Sequence, residues 1–142
     1  MNTIQIPMYR VNGAPIQLFE LLEKVSENGL IWAILEFDGV GIMPKEMSFA
    51  AFQQLLRESP NGLTMPWNEL VQFAKTLEYT IDCLIVAVKN ADDIKKSQLF
   101  LDDFRSCEVY LRAFDSTDWF LGAADKNLLQ LLIKEVIAKP AV

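Results

Sequence analysis

The chain has 142 residues, 51% of them apolar and 23% charged, with a formal charge of -6 and no histidine. That length and composition suit one domain with a real core, residues 1–142, and not a disordered segment. The missing histidine excludes His triads and His-ligated metal sites, and the acidic balance argues against general nucleic-acid binding, which needs a basic surface.

The opening residues carry no basic patch followed by a long apolar stretch, so nothing there reads as a secretory signal. The longest apolar runs, 30–35 and 83–88, are far too short to span a bilayer. A cytoplasmic location, with no membrane partner, is the expectation. Cys83 and Cys107 lie in apolar, strand-like surroundings, where free cysteine behaves as a small hydrophobe. Buried thiols are therefore expected, and a disulfide stays open if their strands are neighbours.

Taken in chain order, residues 3–9 alternate weakly and suit an edge strand, since Pro7 cannot donate to a central ladder. Residues 14–25 read as a helix. Pro15 suits its first turn, Leu18, Leu21, Leu22 and Val25 form its apolar stripe, and Asn28-Gly29 fits its stop. Residues 30–37 are β-like, with Ile31, Ala33, Leu35 and Phe37 on one face and Trp32, Ile34 and Glu36 on the other. Asp38-Gly39 then signals a two-residue hairpin, with 40–43 as the return strand.

Ser48 is placed to cap a helix running through Arg57, with Phe49, Phe52 and Leu56 facing inward. Thr64-Met65-Pro66 opens another helix, to about Glu78, in which Leu70, Phe73, Ala74 and Leu77 match one helical face. Residues 80–89 are the clearest strand. They are apolar on both faces beyond Asp82, as a covered central strand would be. Residues 91–104 fit neither period. Residues 106–114 alternate as a strand, 115–118 turn, and 119–123 can return as a hairpin partner. Asp125 caps a last helix over 126–138, with Leu128, Leu129, Leu132, Ile133 and Val136 inward and Pro140 as its stop. Hairpins mixed with helices imply an α+β fold. It would have a mostly antiparallel central sheet of about five to six strands with helices packed on it.

Chemistry-bearing motifs are sparse. Gly39-Val40-Gly41 has neither phosphate-loop spacing nor a following Lys. Glu36 and Asp38 would share a strand face, and such a carboxylate pair can run acid–base chemistry in a cleft. Solvated strand ends are the plainer reading. No EF-hand spacing, nucleophile elbow or thiolate-lowering neighbour occurs. The expectation is a non-enzymatic protein with no cofactor and no metal.

Charge placement says more. Ten acids and five bases lie between Glu78 and Asp125, which puts -5 of the total -6 in that stretch. Much of it falls in loops beside aromatic residues. Acids around aromatic anchors suit docking to a basic protein. Asp92, Asp93, Asp102, Asp103, Asp115, Asp118 and Trp119 are the candidate contacts. The competing reading is a solvated loop face over core aromatics. Met65, Trp67 and Trp119 are either exposed anchors or core.

Four stretches look familiar together: LIWAILEFDGVGI (30–42), MPWNELVQFAK (65–75), TIDCLIVA (80–87) and FDSTDWFLGAADKNLL (114–129). They resemble small immunity proteins of bacterial polymorphic-toxin systems, including contact-dependent growth inhibition. In those proteins a segment like FDSSYWE precedes a final Asp-capped helix. Here Asp118 stands in place of its aromatic and Phe120 in place of its acid. The resemblance implies an inhibitor that binds a cognate toxin domain, often a nuclease, and blocks it. It carries over no contact residue, so the candidates rest on the charge map. The alternative from a different class is a small-ligand or regulatory binding module.

Overall fold

The computed structural model describes residues 1–25 and 29–138. Six strands form one antiparallel sheet in the order β1-β6-β5-β4-β2-β3. They are β1 (Asn2–Pro7), β2 (Ile31–Val40), β3 (Leu63–Met65), β4 (Tyr79–Val88), β5 (Val109–Phe114) and β6 (Asp118–Ala123). The helices are α1 (Leu18–Val25), α2 (Phe49–Glu58), α3 (Trp67–Lys75), α4 (Lys96–Leu99) and α5 (Lys126–Leu132). The α+β expectation holds, and β4 is an interior strand between β2 and β5, in keeping with its apolar sequence beyond Asp82.

The first face of the sheet carries the large core. Leu18, Leu21 and Leu22 of α1, Phe52 and Leu56 of α2, Leu70 and Phe73 of α3, and Leu129 and Leu132 of α5 pack there. The periodic stripes read from the sequence are these contacts. Ser48 caps α2 by accepting from the Ala51 N–H, and Asp125 caps α5 by accepting from the Asn127 N–H. Phe49 corrects the inward stripe, since it lies beside the cap and is 39% exposed.

The Asp38-Gly39 hairpin does not form. β2 continues through both residues and pairs with β4 on either side of a register shift that leaves Ile81 of β4 unpaired, so 40–43 is not a return strand. Glycine is needed here for close approach. A Cβ at Gly39 would lie 2.7 Å from the Tyr79 carbonyl oxygen and 3.2 Å from the Thr80 Cα. Upstream, the β2–β4 register shifts between Ile34 and Glu36, leaving Leu35 as the extra residue of a bulge. Strict alternation would put Phe37 with Leu35; the bulge instead sends it to the first face. There its ring centroid lies 6.0 Å from that of Phe52 and 5.3 Å from that of Phe73. Glu36 moves to the second face, opposite Leu84.

Other boundaries shift for local reasons. Residues 14–17 are extended, because Tyr9 and Pro15 form a β-bridge and the Ile16 N–H donates to the Met8 carbonyl, so α1 starts at Leu18. Leu63–Met65 is the edge strand β3, so Thr64 and Met65 pair with β2 and α3 begins only at Trp67. The last helix passes into a π-turn over Ile133–Ile137. The expected stops at Asn28 and Pro140 lie outside the described residues.

Cys83 belongs to the first-face core and Cys107 to the smaller core on the second face. The sheet separates the two thiols, and both are free and buried.

Candidate functional site

The second face is only partly covered. Ile94, Leu99, Phe104 and Cys107, from the connection between β4 and β5, pack on Ala33, Leu35, Leu84, Val86 and Val88. This is the stretch whose sequence fits neither period, and its structure explains why. It is a 3-10 turn (Ala91–Asp93), the single turn α4, and irregular chain laid over the sheet.

Three ties hold it down. The Lys96 ammonium reaches the end of α2 and donates to the carbonyls of Leu56 at 2.5 Å and Ser59 at 2.9 Å. A cation there meets the negative end of the helix dipole. Phe104 stacks on Tyr110 with centroids 3.8 Å apart and planes 13° apart. Tyr110 in turn lies flat over Gly122, where a Cβ would fall 2.1 Å from its Cε1 atom. Finally, Asp102 pairs with Arg112 of β5.

The cover ends over Tyr110 of β5, and among the described residues nothing lies over the rest of β5, β6 and β1 on this face. What remains open is a groove of about 770 Å³ lined by Met1, Thr3, Asp102, Asp103, Phe104, Arg105, Tyr110, Arg112, Phe114 and Phe120. Phe114 and Phe120 meet edge to face, with centroids 6.4 Å apart. Phe114 is 49% exposed on an otherwise largely buried strand. Nearby on the connection, Phe100 and Leu101 are also exposed.

Charges inside the groove are largely cancelled by neighbours. Arg105 grips Asp103 with two hydrogen bonds of 2.9 Å, which hold that carboxyl down to about 2. The strand ends beyond the groove are different. Asp38 lies directly opposite Asp82, and Glu36 points from the same face two residues along β2. Burial pushes the Glu36 carboxyl above its ordinary range, Asp82 adds to the rise, Arg112 opposes it, and Asp38 adds further. Asp82 also accepts from the Asp115 N–H at 2.9 Å, which draws the β5–β6 turn to the end of β4.

The candidate contacts therefore divide. Asp102 and Asp103 line the groove. Asp118 opens β6 on the face shared with Phe120, and Asp115 sits in the adjoining turn. Asp92 and Asp93 lie just past the C-terminal end of β4, away from the β5–β6 turn near its start, so they do not join the others. Trp119 is a correction. Strand alternation sends it to the first face, where it is 1% exposed and its indole N–H donates to the Ile16 carbonyl at 2.9 Å. Met65 and Trp67 are partly buried against the same core. The cluster of Glu36, Asp38 and Asp82 escaped the reading as contacts. The Glu36/Asp38 spacing signalled their shared face, but only β2–β4 pairing adds Asp82.

Burial pushes both thiols up, Cys107 to about 11, so neither is prepared as a thiolate nucleophile. Among the described residues there is no cluster of three or more Cys, Asp or Glu suited to hold a metal ion. None of their helices is long and apolar enough to cross a membrane. Comparison of the chain with protein-family models, with curated proteins and with solved structures finds no match.

Proposed function

We propose that this chain is an immunity protein, a non-enzymatic inhibitor that binds a cognate bacterial toxin domain in the cytoplasm and protects the producing cell. The observation that carries the reading is the open groove on the second sheet face. It sets exposed Phe114 and half-buried Phe120 beside the acids of the adjoining strands, Asp38, Asp82 and Asp118, with Asp102 and Asp103 in its wall. Aromatic anchors ringed by charge are how protein interfaces obtain both affinity and steering. An acidic chain of this kind suits a toxin with a basic surface, and neither nucleic acid nor membrane is its partner.

Co-expression with the toxin domain encoded immediately upstream tests the reading. Rescue of growth and co-purification of a complex are expected. Continued growth arrest with this protein present in soluble form overturns it. The volume of the groove also favours a second reading, a small-ligand binding module, because about 770 Å³ lies within the range of ligand sites. A metabolite retained in native mass spectrometry, with no effect on the toxin, would select that reading.

A further inference from the structure

We propose that the open groove docks a basic segment of the partner protein, its apolar side chains over Phe114 and Phe120 and its cations at the strand ends bearing Glu36, Asp38, Asp82 and Asp118. This rests on the reading of the chain as a protein binder and adds where the partner sits and what chemistry it brings.

Among the described residues, nothing covers this part of the sheet face. Four helices pack on the first face, whereas the β4–β5 connection covers β2 and β4 on the second and reaches no farther than Tyr110 and Arg112 of β5. Leu101, at the margin of that cover, is 82% exposed. An apolar surface framed by fixed secondary structure loses little entropy when a partner lands on it.

Charge selects the occupant. Within the groove Asp102 is matched by Arg112 and Asp103 by Arg105, so the walls are close to neutral. Among the described residues, the acids at the strand ends have no such ion pair. Asp38 and Asp82 face each other across neighbouring strands, an arrangement that costs a free protein stability. Arg112 is the cation that Glu36 feels, and it is engaged by Asp102. Lys96 is turned away to the carbonyls at the end of α2. A Lys or Arg delivered by a partner relieves that repulsion and can lie over the exposed Phe114 ring. An acidic or neutral segment gains nothing there. A second copy of this chain, with its own charge of -6, meets long-range repulsion.

The test uses the full chain and two probes. With the upstream toxin domain, E36Q/D38N/D82N is expected to slow association about tenfold or more at low salt and to flatten its salt dependence. The amides keep the acceptor used by Asp115, and circular dichroism checks the fold. D92N/D93N, near the other end of β4, is expected to change the rate less than about twofold, since steering weakens with distance from the docking surface. A triple variant as fast as the parent, or a D92N/D93N pair that slows association equally, overturns the proposal.

The second probe is an acetylated Arg-Trp-Arg-Arg amide, titrated into labelled protein and followed by NMR. Its shifts are expected over 110–120 and at Leu84, and are expected to vanish with a Glu-for-Arg peptide. Shifts spread over all acidic residues, none at all, or a groove closed by self-association overturn the proposal. If the toxin domain fails to bind while the peptide maps to the groove, the immunity reading falls and the docking surface stands. If the toxin binds and the triple variant changes nothing, the reverse holds.

Discussion

The two faces of this sheet are built from the same strands and behave as different materials. Trp32, Ile34, Ile85, Leu111, Trp119 and Leu121 look into the first face and disappear under four helices. From the same strands, Glu36, Arg112, Phe114, Asp118 and Phe120 look out of the second. Only part of that second face is covered, by a connection held through Lys96, the Phe104–Tyr110 stack and Asp102. Stability and recognition are divided between the faces by strand alternation and, on β2, by the bulge at Leu35. Apolar area on the first face is removed from water and holds the fold; on the second, part of it, with Phe114 exposed, stays available.

That division should show in a graded mutant series. The largest effect belongs to Trp119→Ala. Loss of a buried indole and its hydrogen bond to Ile16 is expected to cost about 3–5 kcal/mol, read from the denaturation midpoint. A cost below about 1 kcal/mol, the usual range for a surface site, would break the comparison. Next comes Gly122→Ala on the second face. Its new methyl would overlap Tyr110, so about 1–3 kcal/mol of stability should be lost as the Phe104–Tyr110 stack is displaced. Near-ultraviolet circular dichroism of the tyrosine should change with it.

Lys96→Met keeps the aliphatic stem and removes the cation that caps α2. About 1 kcal/mol is expected. Faster amide exchange should be confined to the end of α2 and to 96–104. Exchange that quickens equally on the first-face helices would mean that the two faces unfold as one unit.

The smallest effect is a pH dependence. Glu36 has a folded pKa above its ordinary 4.5, so between those values the folded state holds the proton more tightly than the unfolded state. Its contribution to stability is therefore greatest at low pH and is lost as pH rises through the folded value. Glu36→Gln should raise the midpoint at pH 7, and the gain should fade as pH drops to about 4.5. Asp103 has the opposite sign. Held down to about 2 by Arg105, it supports the fold above its ordinary 3.8, and that support is lost as pH falls toward 2. Asp103→Asn should remove this acid limb from the stability curve.

Much of the architecture was legible because it rests on local repetition. The stripes of α1, α3 and α5 and the caps at Ser48 and Asp125 depend on residues within a turn or two of each other. The two-sided apolar run of β4 likewise identifies an interior strand without knowledge of its partners. The β5–β6 hairpin was also readable, since 115–118 separates two alternating runs. The site was legible only in part. Asp102, Asp103 and Asp118 frame the open face, whereas Asp92 and Asp93 share their composition and lie elsewhere. Net charge counts residues; it does not say which end of a sheet they occupy.

What the chain determines by itself, then, is its elements, its α+β class and its acidic character, because hydrophobic period, capping and charge are properties of neighbouring residues. What only the tertiary structure decides is where β2 goes, which way it turns its side chains, and which acids meet. Asp38-Gly39 carries a strong local turn signal, yet pairing with β4 satisfies the same backbone groups across a longer ladder and wins. The bulge at Leu35 then exchanges the faces of Glu36 and Phe37, because Phe37 finds Phe52 and Phe73 on the helical side. That exchange brings Glu36 onto the open face beside Asp38 and Asp82. The acidic strand ends are thus a product of strand pairing, which joins residues more than forty positions apart.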